Sequence, residues 1–251
     1  MKHFALIGYP VAHSYSKQWF DSQHFADADY RLFPLPSVAE VRQWAAEQAI
    51  DGFNVTAPHK QSIIPLLDDL APEARTIGAV NCVVVDSHHR LVGHNTDGPA
   101  FLQSLSSFLA KQPSSSHQAL ILGTGGAARA VAWALGQLQI PFRYVSRHPE
   151  KTKSKESNIE TIGYDQLTHL HPLPTLLINA TPLGTAPAAD STPLSALSLS
   201  LLHPLFVYDL VYNPSPSRLL REAAALGATT KDGLEMLHLQ ARLSWQLWGL
   251  E

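Results

Sequence analysis

The amino-acid sequence, 251 residues long, predicts an α/β protein of one large domain or two small ones. Three observations support this prediction. Apolar runs of strand length alternate with helical periodicities, which is typical of parallel sheets covered by helices. The apolar run 118–122 leads directly into a glycine-rich loop. The serine-rich segment 112–116 is the clearest candidate for a linker.

The first half of the chain is predicted to alternate strands and helices. Ser37 and Glu40 form a capping-box pattern at the start of one helix, and Pro58 suits the first turn of another. A turn at 86–90 predicts a hairpin. The predicted strands are 4–7, 30–33, 52–56, 78–85 and 91–94, and the predicted helices are 18–25, 37–48, 63–74 and 97–111.

The second half continues the alternation. Its last helix carries Leu237, Gln240 and Ser244 on one side, so Gln240 is expected to point toward the body of the protein. The predicted strands are 118–122, 142–145, 205–212 and a strand that runs into a loop over 176–184. The predicted helices are one after the glycine-rich loop, 215–226 and 234–248.

Composition and charge limit the classes of partner. With 18 Lys+Arg against 21 Asp+Glu the formal charge is −3, and the densest basic patch is short and interrupted, at Lys151, Lys153 and Lys155. A nucleic-acid partner is therefore not expected. No apolar run approaches the ~20 residues of a membrane-spanning helix, and the apolar start, 1–7, is too short for a signal peptide. We predict a cytoplasmic protein whose one cysteine, Cys82, is a buried, inert thiol.

Thirteen histidines raise the question of a metal site. His169 and His171 are two apart in a proline-rich stretch, but the sequence contains neither an H-E-x-x-H pattern nor a cysteine cluster. We therefore predict that the protein holds no metal ion.

The segment 52–60 combines an unusual set of side chains. Asn54 and Thr56 share one face of the predicted strand. Lys60 would follow Pro58 in the first turn of a helix, where a positive charge is unfavourable. The segment is either a strand, a turn and a solvated lysine, or a place where function requires an amine.

Four more polar residues are candidates for a site. Ser14 and Ser16 lie at a strand-to-helix junction, where serines can cap a helix or direct hydroxyl and N–H groups at an anion. Asn81 interrupts the apolar run 78–85, and if buried it needs hydrogen-bond partners, for which backbone groups are the simplest choice. Asp97 stands where a helix begins, which is typical of an N-cap.

Gly123, Gly125 and Ala128 fit the pattern G-x-G-x-x-A between a strand and an amphipathic helix. In this context the pattern predicts a dinucleotide site, because the glycines let the backbone approach a pyrophosphate and the helix N-terminus attracts it. About 20 residues later, where NAD enzymes carry an acid, the chain has Ser146-Arg147. We interpret Arg147 as the partner of a 2′-phosphate, which indicates NADP; the alternative is an ordinary surface arginine. The strand end at Asn179 should face the same cofactor.

Taken in order, these motifs resemble the shikimate dehydrogenase family over nearly the whole chain. The segment 54–60 (Asn-Val-Thr-Ala-Pro-His-Lys) followed by 95–97 (Asn-Thr-Asp) is specific, whereas the glycine-rich loop is not. The segments that support the resemblance are 8–16, 54–60, 78–81, 95–97, 123–127, 179–184 and Gln240.

The resemblance implies a substrate-binding domain over 1–98 and 233–251, and a Rossmann-type NADP-binding domain over 99–232. It also implies reversible, NADP-dependent reduction of 3-dehydroshikimate to shikimate, a step in aromatic amino acid biosynthesis, by a monomer or a homodimer.

Residue roles follow from the matching motifs. Lys60 and Asp97 would be the catalytic pair, meeting at a cleft between the domains, and either could act as the acid. Ser14 and Ser16 would hold the substrate carboxylate. The other residues expected to contact a ligand are Thr56, Asn81, Tyr212 and Gln240 for the substrate, and Gly123, Thr124, Gly125, Gly126, Ala127, Ser146, Arg147, Asn179, Thr181 and Gly233 for NADP.

The chain departs from the family pattern in places. Lys17 stands where proline is usual, Ala100 where glycine is common, and Ser146 and His148 flank Arg147 where Asn-Arg-Thr is usual. The chain is also somewhat short for the family, so some loops are expected to be trimmed.

Two alternative functions remain open. One is an NAD-linked quinate or quinate/shikimate dehydrogenase, in which the shape of the pocket would select the substrate. The other is a non-catalytic NADP-binding regulator. The presence of Lys60 together with Asp97 favours an enzyme.

Overall fold

The computed structural model describes residues 1–12, 14–110, 117–152 and 159–251. The predicted linker 112–116, His13, and Lys153 and Lys155 of the basic patch lie outside the described residues. The chain divides into two compact units, which we call unit 1 (Met1–Ala100 with His238–Glu251) and unit 2 (Phe101–Leu237). The two α/β units confirm the predicted fold class.

Unit 1 is built on a mixed sheet of six strands in the order β2-β1-β3-β5-β6-β4. Its strands are β1 (Lys2–Gly8), β2 (Ala28–Pro34), β3 (Gly52–Val55), β4 (Asp69–Leu70), β5 (Cys82–Val85) and β6 (Leu91–His94). Strand β1 pairs in parallel with β2 and β3, but β5 runs antiparallel to β3 and β6. The parallel arrangement predicted for the opening strands is confirmed for β1, β2 and β3. The hairpin predicted at 86–90 makes β5 and β6 antiparallel neighbours.

Helices cover both faces of the unit 1 sheet. They are α1 (Tyr15–Asp21), α2 (Val41–Glu47), α3 (Pro72–Ile77) and a 3-10 helix at Ile64–Leu66. Helix α4 (Asp97–Leu109) begins in unit 1 and continues into unit 2. Side chains alternate along β1: Ala5 and Ile7 join the core beneath α2, while Phe4 and Leu6 join an aromatic core with Trp245 of the last helix.

Unit 2 has a wholly parallel sheet in the order β9-β8-β7-β10-β11-β12. Its strands are β7 (Ala119–Leu122), β8 (Phe142–Ser146), β9 (Thr161–Gly163), β10 (Leu176–Asn179), β11 (Phe206–Asp209) and β12 (Thr229–Lys231). This is the doubly wound order of the Rossmann fold, in which ligands bind outside the carboxyl ends of the two central strands. Here those strands are β7 and β10.

Helices and a short 3-10 segment complete unit 2 and the chain. They are α5 (Gly126–Gln137), α6 (Pro149–Thr152), α7 (Ala196–Leu202), α8 (Arg218–Ala225), α9 (Leu234–Leu247) and a 3-10 helix at Tyr164–His169. The core of unit 2 joins Leu120, Leu177 and Val207 of the central strands to Leu199 of α7 and Leu220 of α8.

The helix predicted to begin at Pro58 does not form. The carbonyl of Lys60 accepts the N–H of Val80 at 2.7 Å, so it is not part of a local helical ladder. Beyond it, the predicted helix 63–74 is reduced to a single 3-10 turn and the first residues of α3. Lys60 thus lies in a turn held by a long-range backbone bond, and the expected conflict with a helix N-terminus is absent.

Several predicted boundaries are also corrected. Helix α1 begins at Tyr15 rather than 18, because the Ser14 hydroxyl caps it. The capping box at Ser37 and Glu40 is wrong: α2 begins at Val41, and Ser37 instead accepts the N–H of Ala39 in a turn. Gly78 ends α3 with a φ of 67°, so the strand predicted from this residue begins only at β5.

In unit 2, the strand predicted over 205–212 is the shorter β11, and the helix predicted over 215–226 is α8, which begins after its cap at Ser217. The elements that were not predicted are short: β4, β9, β12, α6 and α7.

Candidate active site

A lysine–aspartate pair, with a partly buried lysine and a buried aspartate, is the main candidate for catalysis in unit 1. The Lys60 ammonium lies 2.6 Å from the Asp97 carboxylate, with side-chain exposures of 18% and 8%. Lys60 is in the turn after β3, and Asp97 is the first residue of α4. Both residues belong to unit 1. A short contact with little exposure holds the amine in one position.

Asn95 leaves the Asp97 carboxylate available for Lys60. The Asn95 side-chain amide donates to the carbonyl of Ala79 at 2.8 Å, and its oxygen accepts the N–H of Gly98 at 3.0 Å. Asn95 therefore caps the start of α4, and the N-cap role considered for Asp97 is wrong. The negative charge in the first turn of α4 is also favoured by the helix dipole.

Asn81 connects three elements next to the pair. Its oxygen accepts the backbone N–H of Thr96 at 2.7 Å, and its amide donates to the Thr96 hydroxyl at 2.9 Å and to the Gln240 side chain at 3.4 Å. Asn81 and Gln240, on separate segments of the sequence, are thus brought together. The partners of Asn81 include side chains, and not only the backbone groups that the sequence suggested.

A hydrogen-bonded layer beneath these residues was missed by the sequence analysis. The Asn54 amide donates to the carbonyl of Asn81 at 3.1 Å and to the Ser244 hydroxyl at 2.9 Å, while its oxygen accepts from Tyr30 at 2.8 Å. Burial raises the pKa of Tyr30, which keeps its hydroxyl protonated as a donor. Asn54 and Ser244 were both noted for their faces, but only the fold shows that they meet.

The other predicted substrate residues of unit 1 lie at the ends of β1 and β3. The Ser14 hydroxyl accepts the N–H of Ser16 at 3.3 Å, and both side chains are partly exposed. Thr56 follows β3, and a Cβ added to Gly8 would lie 2.3 Å from its methyl group. The glycine therefore allows Thr56 to pack against the end of β1.

In unit 2, the glycine-rich loop lies at the switch point between β7 and β10. Gly123 has a φ of 102°, and a Cβ there would lie 3.1 Å from the Thr181 methyl group, which follows β10. Gly125 precedes α5 and faces open space, since an added Cβ would meet nothing within 4 Å. Helix α5 has no side-chain cap and no acidic residue in its first turn. Free N–H groups beside an open glycine suit a dinucleotide phosphate.

Thr124, Gly126 and Ala127 complete the loop and the first turn of α5, and all three are partly exposed. Ser146 and Arg147 follow β8 at the same edge of the sheet. The Ser146 hydroxyl accepts the N–H of His148 at 3.1 Å, and Arg147 is exposed. The positive charge of Arg147 partly offsets the burial that raises the pKa of Tyr164. These residues fit NADP: an anion site at the helix start and an exposed guanidinium for a second phosphate.

Asn179 lies at the predicted carboxyl end of β10, but its side chain is buried. Its amide donates to Asp209 at 2.8 Å and to the carbonyl of Leu183 at 3.2 Å, and its oxygen accepts from the N–H and hydroxyl of Thr181. The structure supports a positioning role for Asn179 rather than the direct cofactor contact expected. Asp209, to which it binds, was not singled out from the sequence.

Tyr212 and Gly233 lie after β11 and β12. Tyr212 is partly exposed. Gly233 is buried, its N–H donates to the carbonyl of Val211 at 3.2 Å, and an added Cβ would lie 2.1 Å from the carbonyl of Leu210. The glycine is therefore required for close backbone packing, and its own N–H is already used.

Other features of the described residues lie apart from this chemistry. A cavity of about 630 Å³ in unit 1 is lined by Ala45, Ala49, Val85 and the hairpin at 86–89. Across the described ranges, no three His, Cys, Asp or Glu side chains are grouped so that they could hold a metal ion. No helix in the described part of the chain has the length and apolar character needed to cross a membrane. Cys82 is buried, and burial raises the pKa of its thiol to about 12.

The fold and the site define an α/β protein with a Rossmann-type unit, which is typical of dinucleotide-dependent enzymes, and a lysine–aspartate pair that can transfer a proton. The family model for the shikimate dehydrogenase substrate binding domain matches residues 6–83. A shikimate dehydrogenase (NADP(+)) from Nostoc sp. is 38% identical over 98% of this chain and 90% of its own length. The chain belongs to the shikimate dehydrogenase family.

Solved structures agree with this assignment. Shikimate 5-dehydrogenase from Thermus thermophilus, in complex with NADP(H) and shikimate, superposes with a TM-score of 0.83 at 34% identity, covering 99% of this chain and 93% of that one. Quinate dehydrogenase from Corynebacterium glutamicum, in complex with NAD, has a TM-score of 0.82 at 26% identity, covering 98% and 93%.

Proposed function

We propose that the protein catalyses the reversible, NADP-dependent reduction of 3-dehydroshikimate to shikimate, a step in aromatic amino acid biosynthesis. The observation that carries the proposal is the Lys60–Asp97 pair, 2.6 Å apart and mostly buried. Asp97 directly follows Thr96, which Asn81 binds, and Asn81 reaches Gln240. The Lys60–Asp97 pair is thus linked in sequence and by hydrogen bonds to the Asn81 and Gln240 amides, and the proposed substrate ring would bind among these groups.

The Lys60–Asp97 pair would manage the proton. Bound NADPH supplies a hydride to the ketone carbon of the substrate. The ketone oxygen becomes an alkoxide, and the Lys60 ammonium both stabilises it and donates a proton to it. The Asp97 carboxylate accepts a hydrogen bond from the amine and so holds it in position. In the reverse direction the pair accepts the proton from shikimate.

The remaining residues would orient the substrate. Asn81, Gln240 and Thr56 present amide and hydroxyl groups for the ring hydroxyls, and Tyr212 is a further candidate. Ser14 and Ser16 would bind the substrate carboxylate through their hydroxyls. Helix α1 has only seven residues. We therefore assign binding of the carboxylate to the two serine hydroxyls and not to the N-terminus of α1.

Unit 2 would bind NADP, through the loop 123–127 at its diphosphate and through Ser146 and Arg147 at its 2′-phosphate. Thr181 would contact the cofactor, and Asn179 and Gly233 would act by shaping the loops. Unit 1, which includes the C-terminal segment His238–Glu251, is the proposed substrate domain. A cytoplasmic location, and a monomer or homodimer, complete the proposal.

Lys60→Ala tests the proposed chemistry. We expect its kcat for shikimate-dependent NADP reduction to fall by about 10²–10⁴, the range for loss of a positioned proton donor, with NADPH affinity within twofold of the parent. Arg42→Ala is the control, because it removes an exposed ion pair of the same unit, with Asp68. A Lys60→Ala turnover within a few-fold of the parent would contradict the mechanism.

A quinate dehydrogenase is the second candidate, because the similar structure of that enzyme carries NAD. The two functions are distinguished by comparing the kcat/KM of the protein for shikimate with NADP with its kcat/KM for quinate with NAD. The exposed Arg147 and the absence of an acid beside it in the sequence favour NADP. A higher kcat/KM for quinate with NAD would overturn our choice.

A further inference from the structure

Asp209 is a buried carboxylate that the proposed chemistry does not use. It lies at the carboxyl end of β11, has no exposed surface, and accepts three hydrogen bonds. The donors are the Asn179 amide at 2.8 Å, the backbone N–H of Val211 at 3.0 Å and the Ser217 hydroxyl at 2.5 Å. In the described parts of the chain, no lysine or arginine pairs with it. A buried charge without a cation is costly, so this acid calls for an explanation.

The contacts of Asp209 extend to the loop after β10 and, through it, toward the glycine-rich loop. Through Asn179, it orders the loop after β10, because Asn179 binds both Thr181 and the carbonyl of Leu183. Thr181 in turn packs on Gly123, whose added Cβ would lie only 3.1 Å from its methyl group. Asp209 is therefore two side chains away from the glycine-rich loop.

The other two hydrogen bonds act on the loop after β11. The Val211 N–H is held by Asp209, and the Val211 carbonyl accepts the N–H of Gly233. Ser217, which donates to Asp209, also accepts the N–H of Leu220 and so caps α8. The segment from 209 to 217, which contains Tyr212, is thus fixed at both ends.

We propose that Asp209 is a positioning residue of the cofactor site, whose carboxylate holds the loops after β10 and β11 in the shape that binds NADP. The inference rests on the proposed NADP-dependent function. An acceptor-only group is required here, because three donors converge on it and an amide would present its own N–H to one of them.

Protonation of Asp209 would remove part of this order. Burial raises the pKa of Asp209 to about 6, opposed by its three hydrogen bonds and reinforced by the negative charge of Asp232 after β12. A protonated Asp209 must donate a hydrogen bond, and the Ser217 hydroxyl would have to turn to accept it. NADP affinity is therefore expected to fall as the pH is lowered through about 6, when Asp209 takes up its proton.

Asp209→Asn and Ser217→Ala test the inference by direct binding. The dissociation constant of NADPH is measured from its fluorescence, without substrate. We expect both variants to weaken NADPH binding about tenfold at about pH 7.5, the scale for loss of one hydrogen bond to a charged group. Ser195→Ala is the matched control: Ser195 caps α7 in the same unit, but no contact joins it to Asp209 among the described residues. Its NADPH affinity should stay within twofold of the parent.

The pH profile of the variant distinguishes protonation of Asp209 from protonation of the ligand. The 2′-phosphate of NADPH is a phosphate monoester and also takes up a proton at about pH 6, but it does so with both proteins. The parent should lose about tenfold more NADPH affinity between about pH 7.5 and pH 5 than Asp209→Asn does. If Asp209→Asn binds NADPH like the parent, or keeps the parent's pH profile, the inference is wrong. If that variant does not fold, the NADPH affinities of Ser217→Ala and Ser195→Ala are compared instead. Equal affinities would contradict the inference. A parent protein that does not bind NADPH at all would instead refute the proposed function.

Discussion

Asp209→Asn is expected to stabilise unit 2 while weakening its cofactor binding. In the folded protein, the pKa of Asp209 is raised from 3.8 to about 6, mainly by burial. The folded protein therefore binds this proton more tightly than the unfolded chain does. The contribution of the group to the free energy of unfolding is full below about pH 4 and is lost as the pH rises through about 6.

The size of the effect follows from the shift. A shift of about two pKa units corresponds to about 3 kcal/mol at 1.36 kcal/mol per unit. An uncharged isostere should therefore raise the free energy of unfolding by up to that amount at about pH 8, less the cost of placing its own N–H against one of the three donors. For a unit of this size, that is a rise of roughly 6–12 °C in the unfolding midpoint.

The assay is thermal unfolding of the parent and of Asp209→Asn, followed by circular dichroism at about pH 8 and about pH 4.5. The two midpoints should differ most at the higher pH and converge at the lower, where Asp209 is protonated in the parent. A midpoint for Asp209→Asn that is below the parent's at pH 8 would refute the reasoning. It would mean that the ionised carboxylate stabilises the fold through its three hydrogen bonds more than burial destabilises it.

Three further outcomes are expected. Arg147→Ala should raise KM for NADP about tenfold or more while leaving KM for NAD nearly unchanged, because only the former carries the phosphate that pairs with the guanidinium; an equal change in both would contradict the assignment. Gly125→Ala should fold as stably as the parent, since its Cβ meets open space, but should bind NADPH at least tenfold more weakly in a fluorescence titration. Gly52→Ala should destabilise unit 1 by about 1–3 kcal/mol in urea unfolding, because its Cβ would lie 2.4 Å from the Trp248 indole nitrogen; unchanged stability would show that the indole can move aside.

The order of motifs along the chain predicted much of the site. Gly123 and Gly125 between a strand and a helix are a local pattern, and the structure has them at the switch point of a parallel sheet. Lys60 and Asp97 were paired only through the resemblance to a family, since 37 residues separate them. The structure brings their charged atoms within 2.6 Å.

Local rules failed where a distant backbone group replaced a local one. The helix expected after Pro58 is absent because the Val80 N–H binds the carbonyl of Lys60. The capping box at Ser37 failed because the helix begins later, at Val41. Propensity describes what a segment prefers alone, and tertiary hydrogen bonds override such preferences at a cost of about 1 kcal/mol or less per residue.

By itself, the sequence determined the two α/β units, the glycine-rich loop and the residue types available for proton transfer and phosphate binding. Only the tertiary structure decided that Asn54 and Ser244 meet beneath Asn81, and that Asn179 is buried against Asp209. The physical reason is that a single acid or amide in an apolar run does not reveal its partners. Hydrogen bonds between residues far apart in the chain depend on which strand ends the sheet order places side by side.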